Sequence, residues 1–212
     1  MVVAIDVPSH GSQIIDPVND VGLDGWAWRL RNGMNFVKEY NKRLHDVVTT
    51  LIAEGRTGPG MLAVQGTSRG GFLAYSYAMY DDRVACASGF SPITDLVATR
   101  WFAPLADNPL VQELNLTNRV SEMLGIPVFL VIGDRDGVVS NRAAVAWCQS
   151  LSDASVAAQV PRQIVVHQLS EPIGHTVPTG GQLFGAAWVL KVMQGMNYQQ
   201  AYATAAVSGM TW

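Results

Sequence analysis

The 212-residue sequence has few cysteines, few charged residues and no long apolar run. Cys86 and Cys148 are its two cysteines, and they form neither a CxxC pair nor a larger framework, which argues against a zinc site and a disulfide-stabilised fold. Free cysteines are often buried, so both are expected in the core. No apolar run reaches the roughly 18 residues that a membrane-spanning helix needs, so no membrane span is predicted.

Basic residues are also scarce. The 14 lysines and arginines are scattered along the chain and the net charge is −3, whereas a nucleic-acid-binding surface needs clustered positive charge. Nucleic acid is therefore excluded as a partner. The first residues contain no basic segment and soon reach a carboxylate, which is not typical of a secretory signal peptide. These patterns leave the compartment and the oligomeric state open.

Apolar residues are abundant, at 49% of the chain, with a mean hydropathy of +0.16. This is enough for one sizeable core, and the sequence contains no internal repeat or linker. We therefore expect a single domain over residues 1–212. Short β-rich runs alternate with longer helical patterns, which is typical of a mostly parallel sheet with helices on both faces. The predicted strands span residues 2–6, 61–65, 84–88, 127–132 and 163–169, and the predicted helices span 32–54, 70–79, 141–151 and 181–193, with a loop-rich insertion at 89–124.

One motif in this pattern carries chemistry. Gly66-Thr67-Ser68-Arg69-Gly70 has the form G-x-S-x-G and lies between a predicted strand and a predicted helix. A sharp strand-to-helix turn exposes the middle residue at the edge of the sheet, and flanking glycines remove the Cβ atoms that would clash there. The pattern is that of a nucleophile elbow, and it makes Ser68 the candidate nucleophile. An ordinary Gly-rich turn with a capping serine is the alternative.

Arg69 follows the candidate nucleophile directly. Its backbone N–H would lie at the start of a helix, where it is placed to donate to an oxyanion. Its side chain puts a cation beside Ser68, and this cation has two interpretations. It contacts a carboxylate of the substrate, or it forms a structural salt bridge.

A serine hydroxyl needs a base, and the base needs an orienting carboxylate. His167 lies inside a predicted strand, whereas His175 lies in the loop that follows this strand, from where a side chain can reach a nucleophile at the strand ends. His175 is therefore favoured. Asp134 and Asp136 follow the strand at 127–132 and are the candidate acids, although both also suit a turn. Asp95 is a third candidate, with helix capping as its expected role.

The segments GTSRGG, GDRDGVV and PIGHTVP, in this order and each after a predicted strand, resemble the α/β-hydrolase superfamily, in particular its prolyl-oligopeptidase-like and esterase-like members. The resemblance covers nearly the whole chain. It implies a catalytic triad with Ser68 as nucleophile, Asp136 as acid, with Asp134 in reserve, and His175 as base. The order serine, acid, histidine places His10 and His45 too early.

The resemblance also implies a departure from the superfamily. The superfamily fold has eight strands with the serine after the fifth, whereas one predicted strand precedes Ser68 here. The chain is therefore expected to represent an N-terminally incomplete α/β-hydrolase fold that lacks the first three strands and the loop that supplies the second oxyanion donor. An upstream start, a partner chain, or the Ser9-His10-Gly11 segment in place of the loop would each account for this, and the first is preferred.

The activity implied by this resemblance is that of a serine hydrolase that cleaves a carboxylic ester through an acyl-enzyme, with a small-molecule ester or acyl compound as substrate. No metal or organic cofactor is implied. Trp101 and Phe102, in the insertion, are candidate substrate-binding residues, although aromatic side chains also serve as plain core. The alternatives are a peptidase of the prolyl-oligopeptidase-like type and a non-catalytic binding protein with the same fold.

Overall fold

A computed structural model describes residues 1–161 and 163–207. Its centre is a four-stranded, fully parallel sheet in the order β1-β2-β3-β4, formed by β1 (Leu62–Thr67), β2 (Val84–Phe90), β3 (Val128–Gly133) and β4 (Ile164–Leu169). Each strand starts within one residue of its predicted start, because a short apolar run between turn residues is typical of a buried parallel strand. The α/β fold class predicted from the sequence is confirmed.

The predicted strand at residues 2–6 is wrong. Residues 1–7 form no strand, and Val2 is 61% exposed. The carboxylate of Asp6 instead accepts hydrogen bonds from the N–H and the hydroxyl of Ser12, at 2.9 and 2.8 Å. A strand needs a neighbouring backbone to pair with, and no described strand lies beside these residues. The described sheet therefore has four strands instead of the expected five to six.

Seven α-helices lie among the described residues, and most follow the predicted pattern. The helix predicted over 32–54 begins only at residue 36, because Gly33 has a left-handed backbone and Asn35 caps the helix by accepting a hydrogen bond from the N–H of Lys38. The helices are α1 (Gly22–Arg31), α2 (Phe36–Ala53), α3 (Arg69–Tyr80), α4 (Pro109–Leu114), α5 (Asn141–Ala157), α6 (Gly181–Gln194) and α7 (Tyr198–Val207).

Helix α7 was not predicted, although its N-terminus carries a recognisable signal. The side chain of Asn197 accepts a hydrogen bond from the N–H of Gln200 at 2.9 Å, and the side chain of Gln200 accepts one from the N–H of Asn197 at 3.3 Å. This reciprocal pair is a capping box. Ala201 and Ala205 of α7 are buried against α6.

Helices cover both faces of the sheet. Alternate side chains of β3 point to opposite faces: Val128, Leu130 and Ile132 join a large core shared with α1, α2, α3 and α5, whereas Phe129 and Val131 pack with α6. The insertion at 89–124 contains α4 and three short 3₁₀ helices at Ala103–Leu105, Leu116–Asn118 and Val120–Met123. Within the described part of the chain, no helix is long and apolar enough to cross a membrane.

Candidate active site

Ser68 lies between the last residue of β1 and the first residue of α3. Its backbone has φ +56° and ψ −114°, a conformation that L-residues rarely adopt. A hydrogen bond from its N–H to the carbonyl of Phe90 on β2, 2.8 Å long, helps to hold this conformation. The turn has the form that a nucleophile elbow requires, with the serine side chain partly exposed.

The glycines around Ser68 permit the close approach of two chain segments. A Cβ atom on Gly66 would lie 2.2 Å from the carbonyl carbon of Gly70, and a Cβ on Gly71 would lie 2.6 Å from the Cβ of Pro92. A Cβ on Gly70 would meet nothing within 4 Å. The turn therefore requires glycine at positions 66 and 71, whereas Gly70 has room for a side chain.

The structure brings Ser68, His175 and Asp136 together in one hydrogen-bonded chain. His175 Nε2 lies 2.8 Å from Ser68 Oγ, and His175 Nδ1 lies 2.8 Å from Asp136 Oδ2. Because a carboxylate only accepts hydrogen bonds, Nδ1 is the donor to Asp136. In a neutral imidazole this leaves Nε2 as an acceptor that faces the serine hydroxyl.

Asp136 is well placed to orient His175. Its side chain is fully buried, and its second oxygen, Oδ1, accepts hydrogen bonds from the N–H groups of Val138 and Val139 at 2.9 and 3.1 Å. Both carboxylate oxygens are thus engaged, and the carboxylate cannot turn without losing these bonds. His175 reaches it from the loop after β4, where Gly174 has φ +97° and donates its N–H to the carbonyl of Arg135.

The competing candidates lie elsewhere. Asp134 is exposed and lies 3.4 Å from the guanidinium of Arg135, and Asp95 accepts hydrogen bonds from Val97 N–H and from the side chain of Asn115. His167 packs between the rings of Phe129 and Phe184, each with a centroid distance of 5.4 Å. It lines an apolar cavity of about 750 Å³ formed with α6 and α7. Its ring has a packing role in this structure.

Arg69 is the first residue of α3, so its backbone N–H is one of the donors that the helix itself leaves unsatisfied. Its side chain is half-buried, and the guanidinium carbon lies 5.9 Å from the ring centroid of Trp26. Burial lowers the pKa of the Arg69 guanidinium from its ordinary value. Among the described residues this group has no hydrogen-bond or salt-bridge partner, so the expected alternative of a structural salt bridge finds no support within that part of the chain.

The two aromatic candidates of the insertion differ. The side chain of Phe102 is 0% exposed and packs in the large core, which gives it a packing role in this structure, and its substrate-binding role stays a prediction. Trp101 is partly buried and lies under the guanidinium of Arg100, with 4.3 Å from the guanidinium carbon to the ring centroid. It lines a polar cavity of about 320 Å³ together with Arg31 and Arg100. A substrate-binding role for Trp101 stays a prediction.

The Ser9-His10-Gly11 segment, considered above as a source of the second oxyanion donor, packs on α1. Ser9 is buried with a φ of +59° and donates its hydroxyl to Asp20, whose carboxylate also pairs with Arg29 at 2.6 Å. Trp26 Nε1 donates to the carbonyl of Pro8 at 2.8 Å. Buried polar contacts thus hold this turn in one conformation, and its role as an oxyanion donor stays a prediction.

Comparison with known proteins identifies the family and the fold of the chain. The model of the Esterase family matches residues 2–196 of the chain. No curated protein matches. Several solved structures do match. A puromycin-hydrolyzing peptidase of Mycobacterium tuberculosis has a TM-score of 0.57 and 19% identity, and the match covers 69% of this chain and 24% of the peptidase. A puromycin hydrolase in complex with PGG has a TM-score of 0.59, 19% identity and coverage of 81% and 28%.

A third solved structure is closer in length to this chain than the two puromycin hydrolases are. A sugar hydrolase from Lactococcus lactis has a TM-score of 0.55 and 18% identity, and the match covers 81% of this chain and 72% of that protein. At these identities the likeness shows a shared fold. This chain spans about a quarter of the length of the two puromycin hydrolases.

Proposed function

The chain belongs to the Esterase family of α/β-hydrolases, and on this basis we propose that it hydrolyses carboxylic esters through an acyl-enzyme on Ser68. The observation that carries the proposal is the continuous chain of hydrogen bonds from Ser68 Oγ through His175 to the buried carboxylate of Asp136, with 2.8 Å at each step. A serine hydroxyl is a weak nucleophile by itself, and this arrangement supplies both a base and the group that orients the base.

In the first half of the reaction, Ser68 Oγ attacks the ester carbonyl while His175 Nε2 takes the hydroxyl proton. The imidazolium that forms is stabilised by the Asp136 carboxylate at Nδ1. The carbonyl oxygen becomes an oxyanion, and the N–H of Arg69 at the start of α3 donates to it. His175 then gives its proton to the leaving alcohol, and the acyl group remains on Ser68.

In the second half, a water molecule takes the place of the alcohol. His175 removes a proton from the water, the hydroxide attacks the acyl carbon, and a second oxyanion forms at the same donor, the N–H of Arg69. His175 returns the proton to Ser68 Oγ as the carboxylic acid leaves. Asp136 remains a carboxylate throughout.

The proposal is tested by labelling with a fluorophosphonate, which forms a bond to an activated serine with loss of fluoride. We expect one adduct per chain, mapped by mass spectrometry to the peptide that contains Ser68. The Ser68→Ala variant is the control, and circular dichroism verifies that both proteins are folded. A folded wild-type chain that acquires no adduct would contradict an activated serine and would favour a non-catalytic binding protein.

The leaving group is tested separately. We expect the wild-type chain to hydrolyse p-nitrophenyl butyrate faster than a peptide p-nitroanilide, because the proposed substrate is an ester. A higher kcat/KM on the anilide would favour the peptidase alternative with the same residues. This chain spans only about a quarter of the length of the puromycin hydrolases, so their activity does not predict its substrate and the assay uses this chain itself.

A further inference from the structure

Arg69 lacks the carboxylate partner that two other arginines with little solvent exposure have. Arg29 pairs with Asp20 and Arg83 pairs with Asp81, each at 2.6 Å. The guanidinium of Arg69 has no salt bridge or hydrogen bond within residues 1–161 and 163–207, and its Nη1 atom is both shielded from solvent and without a hydrogen-bond partner. The positive charge of Arg69 is therefore not balanced by any described group.

The ring of Trp26 compensates this cation weakly. The ring of Trp26 lies 5.9 Å from the guanidinium carbon, which is close to the outer limit of a cation–π contact. A protein seldom leaves a charge partly desolvated without a partner, because burial penalises the charged form. The lowered pKa of Arg69 has this same cause, burial alone. An anion from solution would supply the missing partner.

The position of Arg69 limits which anion this is. Arg69 follows the proposed nucleophile Ser68 directly in the chain, so an anion held by its side chain would bind beside the turn that carries the reacting serine. The residue is half-buried, with Nη1 shielded from solvent and the other guanidinium nitrogens not fully shielded, so part of the group is open to a ligand. The start of α3 adds positive potential at the same place. A planar guanidinium suits a carboxylate, which it can bind through two parallel hydrogen bonds.

We propose that the Arg69 side chain binds a carboxylate of the substrate, so that the enzyme prefers esters that carry a negative charge next to the scissile bond. This inference rests on the proposed function, since it names the substrate class of the same site. The net charge of the chain is −3, so a general attraction of anions by the whole molecule does not produce this preference. The preference is therefore a property of the one side chain.

The experiment compares two pairs of esters, and the members of each pair differ by one carboxylate. The mono-p-nitrophenyl ester of glutaric acid carries a carboxylate on its acyl part, and p-nitrophenyl valerate is its neutral counterpart. A second pair, 3-carboxyphenyl butyrate and phenyl butyrate, carries the charge on the alcohol part. We expect wild type to have a higher kcat/KM for the anionic member of at least one pair, by roughly ten- to hundredfold, which is the range of a hydrogen-bonded charge pair.

Two substitutions separate charge from shape. Arg69→Met keeps an unbranched apolar stem against Trp26, and we expect it to remove the preference. Arg69→Lys keeps the charge without the planar fork, and we expect an intermediate ratio. Arg56→Met is the matched control, because it removes an equal charge from an exposed pair with Glu54, and its ratio should equal that of wild type. A wild-type ratio of one or less for both pairs, or a preference that Arg69→Met retains, would overturn the inference.

A binding measurement makes the test independent of catalysis. In the Ser68→Ala variant, glutarate should raise Tm more than the neutral diamide of the same length, and the double variant Ser68→Ala/Arg69→Met should lose this difference. An equal effect of the two ligands would overturn the inference as well. Hydrolysis of both members of each pair without charge preference leaves the proposed esterase intact, whereas absence of labelling and of all hydrolysis contradicts the proposed function itself.

Discussion

At the scale of single residues, the site depends on which hydrogen-bonding group faces which. Asp136 holds two backbone N–H groups with Oδ1 and His175 Nδ1 with Oδ2, whereas Asp134, two residues earlier, is exposed beside Arg135. Both carboxylates follow β3, and a shift of two residues in this turn would bring Asp134 to the place of Asp136. The roles of the two aspartates in the proposed reaction should therefore differ sharply.

Asp136→Asn should lower kcat by about 10⁴-fold. The amide oxygen would keep the bonds to Val138 and Val139, so its NH₂ group would face His175 Nδ1. His175 would then carry its proton on Nε2, where it cannot accept the proton of Ser68. Steady-state kinetics on p-nitrophenyl butyrate measures the change. Asp134→Asn is the control, and a comparable loss in that variant would contradict the assignment of the acid.

At the scale of secondary-structure elements, the turn between β1 and α3 places Ser68. Its geometry depends on the close contact of Gly66 with the Gly70 carbonyl group and on the hydrogen bond from Ser68 N–H to Phe90 on β2. The two glycines of the motif are thus not equivalent, although both are part of the same G-x-S-x-G pattern.

Gly66→Ala should lower both stability and activity, because its Cβ would lie 2.2 Å from backbone carbon. We expect a loss of about 1–3 kcal/mol in the free energy of unfolding and at least a hundredfold loss of kcat, as Ser68 is displaced from His175. Gly70→Ala has open space and lies in a helix, so it should gain about 0.5–1 kcal/mol. Urea denaturation checks both, and equal effects of the two variants would contradict this difference.

A second cluster joins α2, the end of α3 and the start of β2. Asp81 accepts hydrogen bonds from Arg83 and from the hydroxyl of Tyr77, and it lies 3.1 Å from His45 Nδ1. Burial alone would raise the pKa of the Asp81 carboxyl, but these hydrogen bonds outweigh it and hold the pKa well below the ordinary 3.8. Burial raises the pKa of Tyr77 well above its ordinary value, and the hydrogen bond to Asp81 raises it further.

This cluster makes stability depend on acid pH. Because the folded pKa of Asp81 lies below the unfolded value of 3.8, its contribution is complete above about pH 5 and is lost as the pH falls through 3.8 towards the folded pKa. Asp81→Asn should cost about 1–3 kcal/mol at pH 7 and should flatten the fall of Tm between pH 5 and 3. Asp82→Asn, at an exposed position, is the control. A curve of unchanged slope in Asp81→Asn would contradict the assignment.

At the scale of the whole molecule, the sheet separates two cores of unequal size. Cys148 of α5 lies in the large core, and Cys86 of β2 lies in the smaller core under α6. Both thiols are buried, and burial raises the pKa of each to about 12. The two cysteines therefore report on opposite faces of one sheet.

We expect neither thiol to react with Ellman's reagent in the folded protein, because a reactive thiolate must be both ionised and accessible. The single-thiol variants Cys86→Ala and Cys148→Ala should react at the same rate if both faces unfold in one step. Absorbance at increasing urea concentration measures these rates. Faster labelling of Cys86 would show that α6 opens before the rest of the molecule.

The proposed nucleophile and the four strands follow from local patterns. An apolar run of about six residues between turn residues is typical of a buried parallel strand, and the glycines at 66 and 70 mark the sharp turn around Ser68. These features depend on neighbours close in sequence. The N-cap at Asn35 and the capping box at Asn197 are equally local signals. The first marks the start of α2, and the second marks the start of α7.

Other features depend on contacts that are remote in sequence. Residues 2–6 have a strand-like composition and form no strand, since pairing requires a neighbouring backbone. The aromatic side chain of Phe102 suits a substrate pocket or a core equally well by sequence, and packing places it in the core. His175 lies 107 residues after Ser68, and only the parallel strand order brings their loops to one edge of the sheet. Local preferences act over a few residues, whereas packing of the whole chain decides which side chains meet. Here packing places Asp136 against His175 and leaves Asp134 exposed.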